Sequence, residues 1–188
     1  DMSKEAGAGP HSLPYRWRPL NYKVDGKTYF HERVTATQQT GFSFIAQMRS
    51  WLPNPIGGIF WFGVDDAAST VYVPIYCGIS KIPESYAEGN GDMLKYSPTS
   101  AFWIFSRVAH FAYYRYDLII QDIQKVQKEL ETKFAQYTPA VDVAALKLWE
   151  TDQKIAVQFL TDYSVNTANA TVKRWEELSN WLLVKYID

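Results

Sequence analysis

The strongest constraint on this chain is a change of hydrophobic period partway along it. From Arg33 onward three short apolar runs follow one another: Phe42 to Met48, Ile59 to Val64 and Thr70 to Cys77. In the first, Phe42, Phe44, Ala46 and Met48 alternate with Ser43, Ile45, Gln47 and Arg49, so the two sets face opposite sides of a sheet. Pro53, Pro55 and the Gly57-Gly58 pair interrupt the chain before the second run, and the polar Asp65-Asp66 turn separates the second from the third. Connections this short suit hairpins, which makes the three runs an antiparallel β-meander. The later runs are apolar at nearly every position, a pattern that suits a sheet covered on both faces.

After a polar, glycine-containing loop over 78–97 the period becomes helical. Ser97 or Thr99 is placed to cap a helix, with Pro98 tolerated in its first turn. Tyr116, Ile119, Ile120, Ile123, Val126, Leu130 and Phe134 then fall on one stripe. Glu129 and Lys133 stand at ion-pair spacing. Thr138-Pro139 reads as the end of that helix and the start of a second, reaching about Thr161. A third is expected from Ser164 to Tyr186, burying Val172, Trp175, Leu178, Trp181 and Leu182. Short connections make these antiparallel neighbours.

The expected fold class is therefore α+β: an antiparallel β-meander packed on a C-terminal antiparallel helical bundle. The chain divides as a single domain or domain fragment. Residues 1–32 form an extended tail rich in Gly and Pro, with a short hairpin turning at Asp25-Gly26. Residues 33–77 form the meander, 78–97 a loop and 98–188 three helices.

Bulk properties narrow the function. The chain has 188 residues, enough for one core. Its 19 basic and 20 acidic residues give a net charge of −1, with no basic stretch to bind nucleic acid. No apolar run is long enough to span a membrane. A single cysteine rules out an intrachain disulfide. Aromatic residues make up 16% of the sequence, which calls for either a bulky core or a stacking face. Beginning at Asp1 with neither initiator Met nor signal sequence, the chain is expected to be part of a longer protein.

Few residues suggest chemistry. Cys77 is in phase with Val71, Val73 and Ile75 and has no base or positive charge beside it, so it reads as a buried structural thiol. His11, His31 and His110 lack ligand spacing, and His110, among Val108, Ala109, Phe111 and Ala112, reads as a hydrogen-bonded core histidine. Asp65-Asp66 is better explained by a turn than by a metal. Asn169-Ala170-Thr171 matches a glycosylation pattern but sits in a helix. There is no glycine-rich phosphate loop and no nucleophile elbow, so no cofactor is expected. Gln38, Gln39, Gln47 and Arg49 stand out, because polar groups on a sandwiched strand either find partners or line a site. Arg49 fits two descriptions: a two-pronged donor to a carboxylate, or, as is commoner for arginine, a strand-edge residue in water.

The segment TQQTGFSFIAQMRSWLPNPIGGIFWFGVDDAASTVYVPIYCGI resembles the Ntn-hydrolase dipeptidase family, the dipeptidase A and secernin group of cysteine peptidases. The upstream GAGPHSLPYRWRPL and the downstream SAFWIFSRVAHFAYYRY and QFLTDYSVNTANATVKRW resemble a later portion of the same family. The resemblance implies an α/β/β/α sandwich and hydrolysis of dipeptides. It also implies a cysteine nucleophile exposed as the mature N-terminal residue, whose own α-amine acts as general base. Residue 1 is Asp, so no catalytic residue is expected in this chain and the isolated chain is expected to be inactive. Gln38, Gln39 and Arg49 are the expected substrate-binding residues. The expected partners are a dipeptide and the remainder of the same polypeptide, in an extracytoplasmic (periplasmic or secreted) setting, with homo-oligomerisation open.

Two other classes compete. Exposed, aligned aromatics would point to a non-catalytic binding module for sugar or peptide. A large apolar patch at a symmetric contact would point to a structural assembly domain. A piece of a sandwich should also leave one sheet edge or face open, with dimerisation through that edge as one consequence.

Overall fold

The computed structural model describes residues 20–32 and 36–187. The rest of the expected tail, including His11, lies outside the described residues, as do Arg33 to Thr35. The side chain of His31 is likewise not described.

Strands β1 (Leu20–Val24) and β2 (Lys27–Glu32) form an antiparallel hairpin. Its turn is the expected Asp25-Gly26, with φ of 48° and 76°. A two-residue turn with positive φ at both positions matches the right-handed twist of the strands it joins.

The meander is β3 (Phe42–Met48), β4 (Gly58–Val64) and β5 (Val73–Tyr76), antiparallel and in that spatial order. Between β3 and β4 lies α1 (Asn54–Gly57), a single turn entered through Pro53. Gly57 is needed there for space, since a Cβ would sit 2.7 Å from the Arg49 carbonyl oxygen.

Three helices follow: α2 (Ala101–Tyr114), α3 (Tyr116–Thr151) and α4 (Gln153–Tyr186). Their boundaries differ from the expected ones. The expected first helix is broken at Arg115, whose φ of −146° and ψ of 70° turn the chain. Pro139, expected to end it, lies inside α3. A proline removes one helical N–H and so frees the carbonyl four residues earlier, that of Ala135. Ala135 is exposed, so water can serve that carbonyl, while the buried Thr138 hydroxyl donates to Phe134 O at 2.8 Å. The real break is Asp152, whose carboxylate accepts from the N–H groups of Lys154 and Ile155 and caps α4.

The amphipathic stripe of α3 from Tyr116 to Phe134 is buried as expected, except that Leu130 is only partly covered. On α4, Val172, Trp175, Leu178 and Leu182 are buried, but Trp181 is half-exposed with the Lys185 ammonium over its ring. Trp175 stacks on Phe105 of α2, centroids 5.0 Å apart, and this pair ties two helices together at the centre of the core. Glu129 approaches Arg174 of α4, not Lys133 of its own helix.

The chain is thus α+β, with small antiparallel sheets and C-terminal helices. The helices gather around the β5 end of the meander. Burial falls steadily across the sheet: β5 is mostly buried, β4 is half-covered, and every β3 residue except Ser43 is exposed. In the described residues, then, the meander is not covered on both faces along its whole width.

Candidate functional site

The ends of β3 hold the residues singled out by sequence. Gln38 and Gln39 lie just before it, Gln39 exposed and Gln38 partly buried. The Gln38 side-chain oxygen is shielded from water and has no hydrogen-bond partner among the described residues. Gln47 accepts a hydrogen bond from the Trp61 indole N–H at 2.9 Å, which fixes a cross-strand pair on one face.

Arg49 is the best-held side chain of the group, and it is 8% exposed, which overturns the strand-edge residue in water. Its guanidinium donates to Ile56 O at 2.6 Å, to Gly57 O at 3.3 Å and to the Asp142 carboxylate of α3. The other oxygen of Asp142 accepts from Tyr76 OH at 2.7 Å. One arginine therefore fastens the end of β3 to α1, and through Asp142 to α3 and β5. The carboxylate Arg49 meets in this structure is the protein's own. Burial first, and the Asp142 carboxylate second, hold the Tyr76 phenol far above its ordinary range. Sequence could not show this, because Asp142 is 93 residues away and lies on an unremarkable helical face.

The only thiol is not buried. Cys77 follows β5 and is exposed, its sulfur packed over the Cα of Gly58, where a Cβ would come within 3.1 Å. Alternation placed it correctly in phase with Val73 and Ile75, but those neighbours are covered by helices while the strand end runs out beyond them. Partial burial pushes its thiol up. Such a thiol carries less thiolate at neutral pH than a free cysteine.

His110 is also not a core residue. It sits on the solvent side of α2, hydrogen-bonded through Nδ1 to Ser106 O at 2.7 Å, while Val108, Ala109 and Ala112 occupy the buried side. Thr171 of the glycosylation-like triplet is buried, its hydroxyl donating to Thr167 O.

Asp65 and Asp66 form a turn after β4, as expected, yet both are buried. Asp66 accepts from Ala68 N–H at 3.2 Å and from the Ser69 hydroxyl at 3.1 Å, a side-chain-closed turn. Asp65 has a φ of 65° and faces α2 near Ser106 and His110. Burial pushes its carboxyl up to about 6, against the bond from the Asp66 N–H.

Aromatics gather on one face of the sheet, exposed on β3 (Phe42, Phe44) and partly buried on β4 (Phe60, Phe62). Phe42, Phe44, Phe60 and Phe62 form a ladder with centroid separations of 4.8 to 5.9 Å. Other aromatic residues, among them Tyr76, Phe105 and Trp175, are buried in the core. The aromatic load thus serves both a core and an open face.

A family model, Peptidase family C69, matches residues 8–129, which is more than half of the chain. The chain belongs to that family. Membership places it among the cysteine peptidases, hydrolases with a dipeptidase-type function. No curated protein matches the sequence. Among the described residues no helix is long and apolar enough to cross a membrane.

Proposed function

We propose that this member of peptidase family C69 is the later segment of a dipeptidase whose N-terminal cysteine nucleophile lies outside the chain. The observation that carries this reading is the state of Cys77. It is the one thiol in the sequence, its pKa is raised, and no described side chain stands beside it as a base. An N-terminal cysteine would supply both attacking sulfur and proton acceptor, forming a thioester with the substrate carbonyl and releasing the amine of the second residue. Cys77, an internal residue, has no free α-amine to offer.

In this reading Gln38 and Gln39 present amide groups to a dipeptide at the open end of the sheet. The unpartnered Gln38 oxygen is the group best suited to accept from a substrate N–H or ammonium. Arg49 serves substrate binding by position: held by Ile56, Gly57 and Asp142, it keeps the end of β3 fixed. The meander is one layer of an α/β/β/α sandwich, whose second sheet covers the Phe42, Phe44, Phe60 and Phe62 face.

The test is hydrolysis of a dipeptide panel by the 188-residue chain, with and without Cys77→Ser. Both proteins should leave the dipeptides intact, whereas a longer polypeptide carrying an N-terminal cysteine ahead of this sequence should cleave them. Robust hydrolysis by the isolated chain that disappears in Cys77→Ser would overturn the reading.

A further inference from the structure

The two outer edges of the meander are built in opposite ways. The backbone bonds Asp65 N–H to Gly41 O and Arg49 N–H to Gly57 O bracket the pairing of β3 with β4. Hydrogen-bonded pairs alternate along an antiparallel ladder. The odd-numbered residues of β3 therefore turn their backbone groups toward β4. The even-numbered ones, Phe42, Phe44, Ala46 and Met48, turn theirs outward, and among the described residues no strand pairs with that side. The same logic applied to Cys77 N–H donating to Gly58 O makes Tyr72, Pro74 and Tyr76 the outward residues of the β5 edge. There every donor is dealt with. Tyr72 N–H donates to Glu131, Pro74 has no N–H, and Tyr76 N–H donates to Ser164.

Among the described residues nothing comparable protects β3. It has no Pro, no charged side chain and no bulge against β4, the devices that usually blunt an exposed strand. Its apolar side chains stand in water: Phe42 is 60% exposed, Phe44 52%, Ile45 56% and Met48 75%.

We propose that β3 is a homodimerisation edge, at which two copies of this chain pair antiparallel about a two-fold axis through Ile45. In that register Phe42 faces Met48 of the second copy and Phe44 faces Ala46, so all four outward residues of each strand exchange backbone hydrogen bonds. A large side chain meets a small one at Phe44 and Ala46, which suits close packing. An uncharged strand meets no like charge in its own copy, as a self-complementary contact requires. The two meanders become one continuous six-stranded sheet with both β5 edges, already closed, at its ends. Phe42, Phe44, Ile45 and Met48, exposed in the single chain, each lose part of that exposure to the cross-strand neighbour they meet in the second copy. The pairing rests on the reading of this chain as one piece of a sandwich with an open edge, and, being made edge to edge, it leaves the Phe42, Phe44, Phe60 and Phe62 face free for the second sheet.

Sedimentation of the 188-residue chain should show a mass that doubles with a roughly micromolar dissociation constant. Ala46→Lys should weaken the dimer roughly tenfold or more, with an unchanged circular dichroism spectrum because the site is exposed. In a Cys77→Ser background, Ile45→Cys should form a symmetric disulfide under oxidised glutathione, since residues across a non-hydrogen-bonded pair have Cα atoms about 4.5 Å apart. A monomer, including one that captures an unrelated extended peptide along β3, overturns the proposal. So does a dimer that survives Ala46→Lys, or one in which Ile45→Cys does not cross-link.

Discussion

The β5 edge and the β3 edge belong to one sheet of three strands, yet only the first behaves like the rim of a finished protein. Along β5 and the segments flanking it, side chains from two helices reach in to satisfy the backbone: Glu131 of α3 at Tyr72 and Ser164 of α4 at Tyr76, with Gln127 at Thr70 and Thr161 at Ser80 beyond the strand ends. Along β3 the only comparable investment among the described residues lies beyond its last residue, where Arg49 pins the strand end through Asp142. A buried backbone group left unpaired costs about 1–3 kcal/mol, whereas an exposed one is served by water. Helices packed against β5 thus oblige the sequence to supply polar partners there. The uncovered β3 edge creates no such obligation. An edge is thus closed where the fold dehydrates it and left open where water still serves its backbone.

The largest effect is expected at the Arg49–Asp142 anchor. Asp142→Ala leaves the Arg49 guanidinium buried without its carboxylate and the Tyr76 hydroxyl without its acceptor. The expected loss is about 3–5 kcal/mol, seen as a lower urea midpoint at an unchanged slope. An effect near zero would mean that Arg49 is hydrated in solution and that β3 is not fastened to the helices.

Asp65 gives the next effect, with the opposite sign. Its carboxyl titrates near 6 in the folded chain against an ordinary 3.8. The native state therefore binds more protons between these values, and stability falls as pH rises through that window. About two pH units correspond to at most ~3 kcal/mol. Asp65→Asn keeps a side chain that tolerates positive φ and should raise the unfolding free energy at pH 7 by up to that amount. The gain should shrink as pH falls toward 4 and vanish below about pH 3, where the wild-type carboxyl is protonated in both states. Equal gains at both pH values would refute burial as the cause.

Ser164→Ala tests the closed edge directly. Ser164 is fully buried and accepts from Tyr76 N–H at 3.2 Å. Its removal orphans that donor and should cost about 2 kcal/mol. Hydrogen exchange at Tyr76 should accelerate while exchange in β3 is unchanged. The open edge supplies the smallest effect: Ala46→Lys should alter the unfolding free energy of the monomer by less than ~0.5 kcal/mol. A large loss there would show that the β3 edge is covered after all.

Much of this fold was legible in advance, for reasons that can be traced to particular residues. Alternation in β3 assigned Phe42, Phe44, Ala46 and Met48 to one face, and the ladder with Phe60 and Phe62 confirms that they share it. Asp25-Gly26 announced a turn because few other pairs accept positive φ twice. The stripe from Tyr116 to Phe134 announced a buried helical face. The failures are equally specific. Pro139 suggested a helix end, because a local rule cannot know that Ala135 faces water and that Thr138 supplies an extra bond. His110 and Cys77 were expected inside because their neighbours in sequence are apolar. Phase along an element says which residues share a side, and the last residues of a strand or the far side of a helix still escape cover.

At the candidate site the balance shifts further. Sequence picked out Gln38, Gln39 and Arg49 as polar groups in an apolar setting, but it could not pair Arg49 with Asp142, or leave the Gln38 oxygen without a partner. What the sequence determined by itself was local: where the backbone extends, turns or coils, which side chains fall together on a face, and to which peptidase family the wording belongs. What only the tertiary structure decided was which of those faces and edges lose their water. Dehydration depends on contacts between residues far apart in the chain, and it is dehydration that makes Arg49 an anchor, raises the Asp65 carboxyl, and closes one edge of the sheet while leaving the other open.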